Sequence, residues 1–199
     1  MKIGTHNSMT YLKPKKWYLY PFQFIARCQS LSIDKQYSLG VRLFDIRISY
    51  DKNNVPEFRH GSMAYKGDVY KILDWLNNQE CPVQIRILLE ENKEDVTKET
   101  LFIKDICKFK TIFKNLTFYE GRRKFDWKKI TELPDLEVVQ LVSSMQGNKI
   151  DDLWPWLYAK LNNKKNLKLY KEDYKYIIDH TPILIDFYDE QIISTYKEL

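Results

Sequence analysis

Residues Val41–Ser49 read VRLFDIRIS, and this stretch decides the fold. It is rich in branched and aromatic residues and alternates well enough for a β-strand. Two charges interrupt it. Asp45 and Arg47 are two residues apart, so in a strand they share one face. Charges on an otherwise apolar strand are costly unless they are paired. Such a pair reads as a buried ion pair, or as the polar floor of an active site with Arg47 aimed at a phosphate.

Further strands are expected on both sides. Pro82–Leu89 (PVQIRILL) opens with an edge proline. Leu136–Val142 (LEVVQLV) and Pro182–Tyr188 (PILIDFY) follow, with shorter candidates at Lys2–Thr5, Pro56–His60 and Leu116–Tyr119. Between them lie amphipathic stretches. Asp68–Asn77 spaces Val69, Ile72, Leu73 and Leu76 for a helix, with Asp68 as its N-cap. Lys93–Phe109 puts Leu101, Ile103, Ile106 and Phe109 on its apolar side, and Glu190–Leu199 closes the chain as a helix. Strands alternating with helices predict an α/β fold with a largely parallel sheet. A full β/α barrel needs about 250 residues, so at 199 residues such a barrel would be trimmed. No Gly/Ser-rich linker divides the chain, and one domain over residues 1–199 is expected.

Composition narrows the function classes. Hydrophobic residues make up 44% and charged residues 30%, which is the balance of a globular protein. The net charge of +5 suits an anionic partner without choosing one. No nucleic-acid motif and no glycine-rich phosphate loop is present. Cys28, Cys81 and Cys107 are an odd, widely spaced set, read as reduced thiols. No signal peptide and no membrane-spanning run is visible, so a cytoplasmic or membrane-peripheral protein is expected.

The histidines number three: His6, His60 and His180. A lone histidine at a strand end is ordinarily a hydrogen-bonded surface residue. Two at strand ends point to chemistry, because the C-terminal strand ends of a β/α barrel converge on one face. Asp186, inside LIDFY, is a third charge in an apolar strand, suited to holding a histidine in one tautomer.

Taken in order, IGTHNSMTYL (3–12), QSLSIDKQYSLGVRLFDIRI (29–48), FRHGSMAY (58–65), PVQIRILLEEN (82–92) and PILIDFYDEQIISTYKEL (182–199) resemble the successive motifs of the phosphatidylinositol-specific phospholipase C X domain. The likeness covers residues 2–95 and 182–199 and is closest to single-domain members. It implies a compact, distorted TIM-type (β/α) barrel that cleaves a phosphodiester by an internal hydroxyl. By this likeness His6 is the general base and His60 the general acid. Arg47 stabilises charge on the phosphate, Asp186 orients the base, and Asp45 belongs to the same acidic floor. Asn7 and Glu90 fall at substrate-side positions. In the calcium-dependent members Asn7, Asp45 and Glu90 would be ligands, but Arg47 replaces a fourth acid, so no cofactor is favoured and calcium is the alternative. No residue matches the arginine and aromatic residue that grip inositol in bacterial members, which leaves the headgroup open. The implied partners are a phospholipid headgroup and a membrane surface, met reversibly by a monomer. Two alternatives stand beside this reading: a non-catalytic lipid- or inositol-phosphate-binding module, and a metal-dependent glycerophosphodiesterase.

Residues 13–24, KPKKWYLYPFQF, mix lysines with aromatics. They suit either core packing with a basic edge or an interfacial anchor. Trp154 and Trp156 share that ambiguity and read as packing residues.

Overall fold

The computed structural model describes residues 3–91, 95–122, 139–141, 156–157, 159–160, 163, 183–190, 192 and 194. The described residues form eight strands: β1 (Ile3–Thr5), β2 (Leu43–Tyr50), β3 (Pro56–His60), β4 (Met63–Ala64), β5 (Val83–Leu89), β6 (Leu116–Arg122), β7 (Val139–Leu141) and β8 (Ile183–Ile185). A 3-10 turn (Trp17–Phe22) runs into the short helix α1 (Gln23–Ala26). Then come α2 (Ile33–Ser38), α3 (Val69–Asn77) and α4 (Val96–Ile112).

Six strands run parallel in the order β6-β5-β2-β1-β8-β7. The first described strand therefore lies beside the last described one. This is the path of a β/α barrel, in which successive strands neighbour one another around a ring. Gly4 makes the join possible. A Cβ there would stand 2.7 Å from Leu184 Cδ2 and 2.8 Å from the Leu43 carbonyl, so only glycine lets β1 enter between β2 and β8.

The outward side of β2 and β5 is apolar. Phe44, Ile46, Ile48, Ile85 and Ile87 are all fully buried. On α3, Asp68 caps the helix by accepting the Lys71 N–H, and Val69, Leu73 and Leu76 face inward. Helix α4 begins at Val96, capped by Asp95. Its buried residues are Phe102, Ile106 and Phe109, while Ile103 is half exposed. Of the expected apolar side, Ile106 and Phe109 are buried and Leu101 is half-buried against the core; Ile103 alone of the four faces outward. Phe102, with the larger ring, takes the inward place at the i, i+4, i+7 spacing of one helix face.

Strand β2 is longer than its neighbour β1, and this positions the site. On one edge it pairs β5 along Leu43–Ile48. On the other it pairs β1 only at Leu43 and Phe44, because the chain turns away after Thr5. The freed edge, Ile48–Tyr50, takes the antiparallel β3, which β4 completes as a hairpin. The hairpin thereby returns the end of β3 to the end of β1. His60 closes β3, and His6 follows β1.

Candidate active site

Strand register builds the site in layers. Gly4 pairs with both Leu43 and Leu184. Two residues further along each strand, on the same face, stand His6, Asp45 and Asp186. Asp45 in turn pairs with Arg86 on β5. Arg47 and Glu90 extend this inward face by another layer or two. Period-two alternation thus sends a ring of charged side chains into the barrel, while their neighbours build the apolar exterior.

Backbone turns then aim the key groups. Asn7 (φ 45°), Gly61 (φ 55°) and Phe187 (φ 50°) all have left-handed conformations. Each directly follows a proposed site residue: His6, His60 and Asp186. Glycine and asparagine accept this conformation readily, but phenylalanine does not. At Phe187 the N–H donates to the Cys28 carbonyl at 2.7 Å, which holds the strained turn.

The contacts converge on His6, which is 4% exposed. Its Nδ1–H donates to Asp186 Oδ1 at 2.7 Å, and its Nε2 accepts from Arg47 Nη2 at 2.5 Å. These partners fix one tautomer, with the lone pair on Nε2. The other donors of Arg47 go to Asp45 Oδ2 at 3.2 Å and Glu90 Oε2 at 2.9 Å. Asp45 also accepts from Arg86 Nη1 at 3.2 Å and from the Asn7 N–H at 2.9 Å. Glu90 Oε1 accepts the Gly61 N–H, tying β5 to the turn after His60. Glu90 is therefore turned onto Arg47 and the backbone rather than toward a free space.

His60 keeps part of its surface in solvent while lying deep among protein atoms. Its Nδ1–H donates to the Ala26 carbonyl at 2.8 Å, at the end of α1, which leaves Nε2 for chemistry. Burial lowers the pKa of His60, against the raising influence of Glu90. For Asp45, burial pushes the carboxyl up, but Arg47 and then Arg86 overcome it and hold it well below the usual carboxylate range. Burial likewise opposes the Arg47 cation, and Asp45 and Glu90 more than restore it. Burial and then Asp186 raise the Cys28 thiol.

Three residues of this centre were not singled out in the sequence. Arg86 carried a usable signal, a charge inside the apolar strand PVQIRILL. Gln29 is fully buried; its amide donates to the carbonyls of His6 and Ile185 at 3.0 and 2.7 Å, and its Oε1 accepts the Tyr188 N–H. It clamps the ends of β1 and β8 together, beside the His6–Asp186 pair. Cys28 lies between the two histidines, with Sγ 3.9 Å from His60 Nδ1. Nothing in their local sequence marks Gln29 or Cys28.

A calcium ion does not fit this arrangement as it stands. Both oxygens of Asp45 and of Glu90 already accept N–H donors, and the Arg47 guanidinium lies between the two carboxylates. Of the three candidate ligands, the Asn7 side-chain amide stands apart from that network; its buried Nδ2 has no hydrogen-bond partner among the described residues.

Around the site, the aromatics of residues 17–24 are displayed, while Pro14 is buried in a bridge to Tyr65 and Leu19 packs against the core. Trp17 is 79% exposed, Phe22 55% and Phe24 50%, and neither the 3-10 turn nor α1 buries any residue. Trp156, expected to pack, is half exposed with Lys160 Nζ 5.1 Å from its ring centre. His180 and Trp154 lie outside the described residues. No helix among the described residues is long and apolar enough to cross a membrane.

The fold has close counterparts among solved structures. The phosphatidylinositol-specific phospholipase C of Listeria monocytogenes superposes with a TM-score of 0.62 at 15% identity, over 100% of this chain and 92% of that one. A double mutant of the Staphylococcus aureus enzyme gives a TM-score of 0.67 at 14% identity, over 98% and 90%. A further S. aureus structure, described as concerning modulation of membrane binding, gives 0.62 at 14%. No family model and no curated protein matches the sequence. The chain has the TIM-barrel fold of these phosphodiesterases, and at such identity the likeness speaks for the fold alone.

Proposed function

We propose that this protein is a phosphodiesterase that cleaves phosphatidylinositol or a related phospholipid, releasing diacylglycerol and a cyclic inositol phosphate. The observation that carries this reading is the chain Asp186–His6–Arg47, with the His6 lone pair on Nε2. His6 takes the proton of the inositol 2-hydroxyl, and that oxygen attacks phosphorus. The bond from phosphorus to the glycerol oxygen breaks, and His60 protonates the departing oxygen. Asp186 holds the tautomer of the base and stabilises the imidazolium that forms. Without substrate, Arg47 Nη2 sits on the His6 lone pair. A phosphate drawing Arg47 toward its own oxygens would free that lone pair, so substrate binding itself arms the base.

The barrel carries its own cation at the reacting phosphate, in Arg47, and the reaction runs without calcium. Chelator is expected to leave turnover intact; loss in EDTA with rescue by calcium would return Asn7, Asp45 and Glu90 to a ligand role. The exposed aromatics of residues 17–25 dock the protein reversibly on a membrane. Their end, Ala26, holds His60, so the docking segment and the acid are joined by one hydrogen bond.

Phosphorus NMR of the products from phosphatidylinositol vesicles tests the reading. A cyclic phosphodiester signal is expected. An acyclic phosphomonoester as the first product, or binding without turnover, would replace it with another phosphodiesterase chemistry or with a binding module.

A further inference from the structure

The mechanism above leaves Cys28 without a task, although it sits at the centre of the site. Its Sγ, a ring nitrogen of His6 and a carboxylate oxygen of Asp186 all lie within 4.8 Å of one another, and all three residues are buried. His60 Nδ1 is 3.9 Å from the same sulfur. Thiolate, imidazole and carboxylate together are donors for zinc-class cations, whereas calcium and magnesium take oxygen alone. The sulfur is also fixed in place. The Cys28 N–H donates to Thr10 Oγ1 at 2.9 Å, and its carbonyl accepts the Phe187 N–H. With metal–ligand bonds of about 2.0–2.3 Å, tetrahedral donors stand roughly 3.3–3.8 Å apart. The donors of this cluster, all within 4.8 Å of one another, need to close by about 1 Å to reach that spacing.

We propose that Cys28, His6 and Asp186 form a zinc-class cation site, beside His60, whose occupation switches the centre off. Binding forms a sulfur–metal bond and releases the thiol proton to solvent. A metal on His6 Nε2 consumes the lone pair of the base. A metal on Nδ1 leaves the ring proton on Nε2, with the same result. The base and the carboxylate that orients it are held at once by an ion the reaction does not use. The inhibitory half of this inference rests on the phosphodiesterase reading; the binding half does not.

Cobalt(II) added to the reduced, metal-stripped full chain tests the binding half. One equivalent is expected to give a near-ultraviolet thiolate-to-cobalt band that zinc displaces. The band should vanish in Cys28→Ser and persist when the exposed Cys81 and Cys107 are both changed to Ser. Asp186→Asn, which keeps the sulfur, should weaken cobalt binding, and it serves if Cys28→Ser does not fold. No band in the wild type, or a band that follows Cys81 and Cys107, overturns the site. Zinc titrated into a phosphatidylinositol assay tests the switch. Cys28→Ser should need more zinc for half-inhibition by a factor above the roughly 10–100-fold that an outer-shell partner is worth. Equal zinc sensitivity in Cys28→Ser overturns the switch. A protein that binds cobalt through Cys28 but turns over no lipid would instead count against the phosphodiesterase reading and leave the site standing.

Discussion

The inward end of the barrel and the segment that leaves it invert the usual distribution of side chains in opposite ways. Around the floor, Asp45, Glu90, Arg86, Asp186 and Arg47 are buried to within 3% of complete. A few residues along the chain, Trp17, Tyr18, Phe22, Phe24 and Ile25 are exposed by 43–79%. Burying charges costs several kcal/mol per ion before pairing offsets it, and exposing large apolar groups forgoes about 1.5–3 kcal/mol each. Neither arrangement serves folding. A floor of charge suits a phosphate and a proton in transit; a rim of aromatics suits a lipid surface. The two join at Ala26, where α1 ends and His60 is held.

The sharpest way to separate the regions is to remove the acid–base pair. His6→Ala and His60→Ala should each lower turnover by about 10²–10⁴-fold. The double variant should lose little more than the worse single one, because both act on one transition state. Trp17→Ala, assayed on a water-soluble inositol phosphodiester, should leave turnover unchanged. Near-normal rates for either histidine variant, on lipid or soluble substrate, would remove the floor from the reaction.

Stability distinguishes the same regions. Asp45→Asn leaves Arg47 and Arg86 facing a neutral amide, and denaturant melts should show a loss of about 3–5 kcal/mol. Trp17→Ala should stay within about 0.5 kcal/mol of the wild type. The pH dependence carries a definite sign. The folded Asp45 carboxyl lies below its unfolded value of about 3.9. Its contribution is fully present above that value and is lost as pH falls toward the folded pKa. Asp45→Asn should therefore unfold in acid with a shallower slope than the wild type; parallel acid-unfolding curves would mean that the pairing stabilises nothing.

How much of this was legible beforehand depends on whether the signal was local. Asp45, Arg47 and Asp186 stood out because charge inside an apolar strand is expensive wherever the strand ends up. Arg86 carried that same signal and lies at the same layer. An α/β fold with a largely parallel sheet was readable from the alternation of elements. The meeting of His60 with His6 was less so, since it depends on β2 outrunning β1 and lending its free edge to β3. Gln29 and Cys28 were out of reach: Gln29 donates to Ile185, 156 positions away, and loop residues have no periodicity to betray such a bond. In α4, five apolar residues crowd positions 101–109, and the choice between Phe102 and Ile103 was made by packing. The exposure of residues 17–25 was undecidable for the opposite reason, because lysines and aromatics together suit a core margin and a membrane equally.

A pH profile probes the bond that joins the regions. An acid must be protonated to act, and burial puts the pKa of His60 below its ordinary value of about 6.5. On a soluble substrate, kcat/KM should therefore fall as pH rises, with the falling limb set below 6.5 rather than above it. His60→Ala should abolish that limb while leaving any limb belonging to the base. A plateau extending through neutrality would show that His60 does not supply the proton in the free enzyme.

The smallest effect expected belongs to the rim, and the structure sharpens which lysines to change. Lys15 Nζ is 2.6 Å from Glu57 Oε2, so its charge is largely spent within the protein and its loss would disturb β3. Lys13 and Lys16 are exposed, and Lys16 lies 5.8 Å from the Tyr18 ring centre. Each lysine near an anionic surface adds roughly 1 kcal/mol, screened by salt. Changing Lys13 and Lys16 to Gln should then weaken binding to anionic vesicles by about 10–30-fold at low salt. The difference from the wild type should shrink as salt is added. Trp17→Ala should weaken binding by an amount that salt does not alter, because apolar burial is not screened. If both variants bind vesicles like the wild type, or if both lose turnover on soluble substrate equally, residues 13–24 do not dock the protein. Their exposure would then need an occupant other than a lipid surface.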